Sequence, residues 1–193
     1  MRPGPSEWCR PDTPAGVNAS DCVLGTNPGR TYRFFEGEPV VPFGYGLSYT
    51  TFKYDVVEAP TTLSLDPLRA MLDGNDGLFL GLHDVMSAST AQYAVNVTNT
   101  GPVDADDVVL GFVTPPGAGQ NGVPLKTLFG FERVHVPAGS TVTVWLYPAL
   151  TDFSLVGLDG ERGATTGDYT VSFGVREAAE HGMGYAEAKV TAV

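Results

Sequence analysis

An all-β fold, an antiparallel β-sandwich behind an extended irregular N-terminal arm, follows from three features of these 193 residues. Glycine (24) and proline (15) make up about a fifth of the chain, which favours short strands joined by turns over long helices. After Ser89, short runs of alternating β-branched and aromatic residues recur at regular spacing. The stretches between them, such as "NTGPVDAD" and "PPGAGQNG", carry the Gly, Pro, Asn and Asp residues that tight turns require.

Taken in order, residues 1–30 are rich in proline and glycine and read as an irregular arm with little core of its own. "RTYRFFEGEPVVPFGYG" is aromatic but cut by Gly and Pro, so it runs extended and docks on something. From Leu47, "LSYTTFKYDVV" alternates and reads as a first strand. The domain boundary is therefore drawn at 46/47, with the arm over 1–46 and the sandwich over 47–193. A loop or short-helix insertion is expected near 61–90. There, "LSLDPLRAMLDG" places Asp66 as an N-cap before Pro67, then Leu68, Met71 and Leu72 on one helical face. "DGNDGLFLGLHDVM" reads as a loop with one apolar, strand-like run. "AQYAVNVTN" turns Tyr93, Val95 and Val97 inward. "DVVLGFVTP", "PLKTLFGFERVHV", "STVTVWLYPA", "GDYTVSFGV" and "GYAEAKVTAV" complete about seven strands.

The formal net charge is −11 and the pI is near 4.5, so phosphate backbones and anionic lipid surfaces are repelled; neither nucleic acid nor membrane is an expected partner. No apolar run approaches the roughly 18 residues of a membrane helix. The first residues lack the apolar segment of a signal peptide. Cys9 and Cys22 either close a short loop as a disulfide or remain free thiols. Asn18-Ala19-Ser20 and Asn96-Val97-Thr98 are glycosylation sequons. A body suited to secretion without a secretion signal leads us to expect that Met1 is not the natural start.

No constellation for covalent chemistry is present. His83, His135 and His181 show no ligand spacing and the two cysteines no CxxC pattern, so no metal and no cofactor is expected. "DGNDGLFLGLHD" departs from a calcium loop at Leu78, where the sharp turn needs glycine. Asp104, Asp106 and Asp107 cluster in one turn and read as a solvated cap of ordinary acidity, not as a glycosidase carboxylate pair.

"NPGRTYRFFEGEPVVPFGYGLSYTTF", residues 27–52, resembles the signature that ends the α/β domain of glycoside hydrolase family 3 and leads into a C-terminal, immunoglobulin-like (fibronectin type III-like) sandwich. "VNVTNTGPVDADDVVLGFV", "PLKTLFGFERVHVPAGSTVTV" and "LTDFSLVG … GDYTVSFG" resemble successive strands of that sandwich. "MRP" ahead of "NPGRTYRF" is most similar to the β-xylosidase branch, as against ordinary β-glucosidases. The match covers about 27–60 and 91–175. Residues 61–90 match nothing in the family pattern, and Gly111-Phe112 stand where the family carries Gln-Leu-Tyr. The resemblance implies a parent enzyme, secreted and extracellular, with an aspartate nucleophile on an N-terminal (β/α)8 barrel and a glutamate acid/base on the α/β domain. No segment here resembles either, so no catalytic residue is carried over and the chain alone is expected to be inactive.

The resemblance gives the seam a role. Arg30, Tyr32, Arg33, Phe34, Phe35, Phe43 and Tyr45 are expected to lie against catalytic domains of a family 3 enzyme, in cis or missing. Each fully buried aromatic would contribute about 1.5–3 kcal/mol. The alternative for these aromatics is local packing on this sandwich. Gly44 and Gly46 are expected to permit the turn and a close backbone approach. Phe129 and Phe131 are expected to alternate inward and Trp145 to be core or an interdomain contact. Two other functions compete: a free-standing module binding polysaccharide, which needs a row of exposed aromatics, and a protein-docking adaptor working through residues 30–46.

Overall fold

The computed structural model describes residues 29–73, 91–157 and 160–193. Cys9, Cys22, Asn18 and His83 lie outside the described residues, as does nearly all of the calcium-loop-like stretch. In chain order the elements are α1 (Thr31–Phe34), β1 (Phe52–Glu58), β2 (Thr62–Leu63), α2 (Asp66–Asp73), β3 (Tyr93–Asn99), β4 (Ala105–Thr114), β5 (Thr127–Val136), β6 (Thr141–Leu146), β7 (Ser154–Val156), β8 (Arg162–Ala164), β9 (Gly167–Gly174) and β10 (Tyr185–Ala192). Single 3-10 turns sit at Leu150–Phe153 and Arg176–His181.

Two sheets form the sandwich. One has three strands in the order β1-β3-β6; the other has five in the order β2-β10-β9-β4-β5. Every pairing is antiparallel except that of the two-residue β2, which runs parallel to the end of β10. The chain crosses between sheets repeatedly, among other places after β3, after β5 and after β6, which is how an immunoglobulin-like sandwich buries two faces against one another. Tyr93, Val95 and Val97 of β3 are fully buried, as the alternation predicts, and meet Val109 and Val113 of β4 and Val171 and Phe173 of β9. Tyr169, third residue of β9, holds a further fold signature. Its hydroxyl donates to the carbonyl of Thr165 (2.8 Å), four residues upstream, with the carbonyl of Phe153 at 3.1 Å. This is the tyrosine corner of such sandwiches.

Helix α2 forms where the sequence places it, one residue earlier than the cap assignment. Ser64 Oγ accepts from the Asp66 amide at 3.3 Å, Asp66 lies in the first turn, and Leu68 is buried. Leu63 and Leu65 carry the insertion onto the sandwich. The Val193 amide donates to the Leu63 carbonyl (2.9 Å) and the Leu65 amide to the Val193 carbonyl (2.8 Å). A two-residue strand is too short to leave a period in the sequence.

Three positions differ from the reading by alternation. The paired strand begins at Phe52, not Leu47: Leu47 and Tyr49 are 92% and 96% exposed, and the chain is held instead at Thr50 and Thr51 by bonds to Asn99 and Thr100. Phe131, expected inward, is 65% exposed. Gly111 pairs with Gly130 but Phe112 with Leu128, so Phe129 is the extra residue of a β-bulge, and its ring packs where a Cβ on Gly111 would be 2.5 Å away. A bulge reverses the pleat, so residues on either side of it that share a period no longer share a face. Trp145, expected to be core or an interdomain contact, is not core: it stands with Thr141 and Thr143 on the outer face of the three-stranded sheet, 40% exposed, because Val142, Val144 and Leu146 take the inner positions.

Asn99 ends β3 with no exposed surface and spends its whole amide on the turns around it. Its Oδ1 accepts from Thr50 Oγ1 (2.6 Å) and the Gly101 amide (3.1 Å); its Nδ2 donates to the carbonyls of Val103 (2.8 Å) and Val136 (2.9 Å). One side chain thus ties the arm-to-β1 junction, the β3–β4 turn and the end of β5 together.

Candidate interdomain face

The arm lies across the outer face of the five-stranded sheet. Phe112 sets its position. Val109 and Val113 of β4 point into the core, so Leu110 and Phe112 point out, yet Phe112 has no exposed surface. The arm covers it. Tyr32 and Phe43 stack on each other (centroids 4.3 Å, planes 23° apart), and each meets Phe112 edge-on, at 5.8 and 6.2 Å. Edge-on rings place a positive rim against a negative face, adding about 0.5–1.5 kcal/mol per pair to area burial. The Lys126 ammonium lies 4.8 Å from the Phe112 centroid and completes the box. One backbone bond and one bond to a side chain fix the register: the Leu125 amide donates to the Arg33 carbonyl (2.6 Å) and the Leu128 amide to the Tyr32 hydroxyl (3.3 Å).

Gly44 fits its expected role. Its φ is +87°, and a Cβ there would come 2.4 Å from Leu110 Cδ1. Gly46 does not, since a Cβ on it would meet nothing within 4 Å. Of the other arm residues, Phe34 is buried, Phe35 and Tyr45 are half-buried, and Arg30 and Arg33 are exposed. Tyr45 sits edge-on to His181 at 6.1 Å. The structure therefore brings Tyr32, Phe34 and Phe43 onto this chain's own sandwich. The arm and the junction after it also leave exposed residues that the sequence does not single out as contacts: Val40 is wholly exposed, Val41 largely so, and Leu47 and Tyr49 nearly completely. Strand-like alternation concealed Leu47 and Tyr49.

The aspartate turn separates into three different environments. Asp104 Oδ1 accepts from the Ala138 amide at 2.8 Å. Asp106 stands on the outer face, where His135 Nδ1 and Arg133 lie at 2.8 Å and hold its carboxyl below the ordinary carboxylate range. Asp107 points the other way; burial pushes its carboxyl up, opposed by hydrogen bonds from the Tyr54 hydroxyl (2.7 Å) and the Val108 amide (2.9 Å). Two adjacent carboxyls are expected to titrate on opposite sides of the usual value in a carboxyl-carbon NMR titration. The linkage signs are opposite too. The Asp107 contribution to stability is complete below the ordinary carboxylate pKa and is lost as pH rises through its raised value. That of Asp106 is present above the ordinary value and lost as pH falls through its lowered one. Coincident midpoints would contradict the assignment. Among the described residues, no group of three or more His, Cys, Asp or Glu side chains is placed to hold a metal ion.

Comparison with known proteins matches this geometry. Residues 107–176, from β4 through β9, match the family model for the fibronectin type III-like domain. The chain is 34% identical over 188 residues to a probable β-D-xylosidase of Arabidopsis thaliana, covering 88% of this chain and 24% of that protein. It is 36% identical over 182 residues to a probable exo-1,4-β-xylosidase of Aspergillus clavatus, with 94% and 22% covered. Among solved structures, the family 3 β-glucosidase of Bifidobacterium adolescentis superposes with a TM-score of 0.54 at 28% identity, over 78% of this chain and 18% of that one. The chain thus spans under a quarter of the length of these relatives. Fold, register and matched segment agree: this chain contains a fibronectin type III-like domain and belongs with the C-terminal part of family 3 glycoside hydrolases.

Proposed function

We propose that the chain is the accessory module of a secreted family 3 glycoside hydrolase of the β-xylosidase kind, bracing catalytic domains carried in the same polypeptide. The parent enzyme would release terminal β-linked xylose in xylan breakdown, with both catalytic carboxylates on those other domains. The sequons at Asn18 and Asn96 support an extracellular parent; Asn96 stands on the outer face of the three-stranded sheet, where its Oδ1 accepts from Thr143 Oγ1 (2.8 Å).

The two-sided arm carries this reading. Tyr32 and Phe43 are consumed by Phe112, and Gly44 by Leu110, whereas four large apolar side chains within ten residues, Val40, Val41, Leu47 and Tyr49, stand exposed. Exposed apolar stretches of this kind mark surfaces that another body covers. Arg30 and Arg33, also exposed, are two of only 11 cations in the chain and would meet carboxylates of that body.

Two results are expected. The chain alone turns over neither nitrophenyl β-xyloside nor nitrophenyl β-glucoside. It associates with the catalytic portion of a family 3 β-xylosidase truncated before its own C-terminal module. The double variant Leu47→Asp/Tyr49→Asp weakens that association by at least about tenfold and leaves the melting temperature of the sandwich unchanged, since both side chains already stand in water. Undiminished association of the double variant would refute the assignment of the face, and turnover by the chain alone would refute the accessory role.

A further inference from the structure

A groove of about 920 Å³ runs along the outer face of the five-stranded sheet, between the arm and the paired strands β9 and β10. Its lining includes neither Leu47 nor Tyr49, and it shares Val41 with the exposed apolar residues of the arm. Its floor is made by the outward residues of β9 and β10. Ser172, only 7% exposed, and Thr170 present their hydroxyl side chains there.

Beside Ser172, with which Glu187 is directly paired across β9 and β10, Arg176, Tyr185 and Glu187 form one network. The Arg176 guanidinium bonds the Glu187 carboxylate and lies over the Tyr185 ring at 5.0 Å; its Nε donates to the Tyr185 hydroxyl (3.1 Å), which in turn donates to Glu187 Oε2 (2.7 Å). Each member fixes the rotamer of the next, so a donor and an acceptor are held side by side at the groove edge. The other wall is aromatic: Phe43, 46% exposed, and the half-buried Phe35.

We propose that this groove binds a neutral oligosaccharide. The charges lining it balance, Lys126 and Arg176 against Glu177 and Glu187, so neither an anion nor a cation is favoured, and the chain's net charge of −11 opposes anions at longer range. What the lining does favour is a ligand with many hydroxyls and apolar ring faces. Pyranose C–H faces would lie on Phe43 and Phe35, with hydroxyls donating to Glu187, accepting from Arg176 and exchanging hydrogen bonds with Ser172 and Thr170. At about 920 Å³ the groove has room for more than one sugar ring. The proposal takes only its choice of probe sugars from the reading of the chain as part of a carbohydrate-active enzyme.

The test uses the 193-residue chain, titrated by calorimetry and amide NMR with xylohexaose, cellohexaose, an oligogalacturonate and a chitosan oligomer. Saturable binding of xylohexaose or cellohexaose is expected, the better of the two identifying the sugar, with shifts concentrated over residues 170–187. Glu187→Gln and Ser172→Val are each expected to weaken it by about tenfold, the loss of one buried or charge-assisted hydrogen bond, at unchanged melting temperature. The Leu47→Asp/Tyr49→Asp variant, which disables the interdomain face, is expected to bind sugar normally, so failure of either proposal is visible apart from the other. The proposal is overturned if neither neutral hexaose binds, if a charged oligomer binds more tightly, or if both groove variants bind as the parent chain does.

Discussion

Replacing Asn99 with alanine is expected to destabilise the domain by about 3–5 kcal/mol, more than most single substitutions outside a core cavity. The magnitude follows from the partners left behind. Two carbonyls, Val103 and Val136, lose a donor, and the Gly101 amide and the Thr50 hydroxyl lose an acceptor, around a side chain with no exposed surface. A buried polar group without a partner costs about 1–3 kcal/mol, and partial entry of water keeps the sum below the simple total. Thr50→Val, which removes one of the four bonds, is expected to cost only about 1 kcal/mol. Urea titration of the three proteins measures both values. A loss under about 1 kcal/mol for Asn99→Ala would mean that the turns hold themselves and that Asn99 is no more than a passenger.

Phe112→Ala is expected to act in two places at once. Emptying a fully buried phenylalanine costs about 3–5 kcal/mol when the surroundings cannot collapse. Here one wall, the arm, can move, so we expect about 3 kcal/mol together with release of the arm. Tyr32 and Phe43 lose the ring that both meet edge-on, and Lys126 loses its aromatic face. Release is read by trypsin, which should cut at Arg30 and Arg33 much faster in the variant while the sandwich stays intact. Phe112→Leu keeps most of the apolar volume and should retain a docked arm. Equal cutting rates for the parent chain and Phe112→Ala would show that the arm is held by its hydrogen bonds to the Leu125 and Leu128 amides and not by ring contacts with Phe112.

Much of the sandwich was legible without coordinates. Alternation at Tyr93, Val95 and Val97, turn residues at each connection and the Asp66-Pro67 start of α2 are local signals, and each corresponds to an element in the structure. Where alternation failed, a distant partner had intervened. Phe131 faces water because Gly111, on the neighbouring strand, admits the Phe129 ring and forces a bulge. The exposure of Trp145 depends on which face of β6 meets the other sheet, and an alternation of valines and a tryptophan states the period but not its sign.

The sequence by itself determined the class of fold, the approximate elements and the kinship with family 3 hydrolases, because periodicity, turn chemistry and motif order are properties of neighbouring residues. Only the tertiary structure decided which aromatics of the arm are spent on this sandwich and which remain available. That choice rests on contacts between Tyr32, Phe43 and Phe112, at least 69 residues apart in sequence where the sheet is concerned. It also placed Ser172, the Arg176–Tyr185–Glu187 network and Phe43 around one groove. No short-range pattern encodes such a meeting, because it follows from how strands far apart in the chain stack and from what the arm covers when it lies across them.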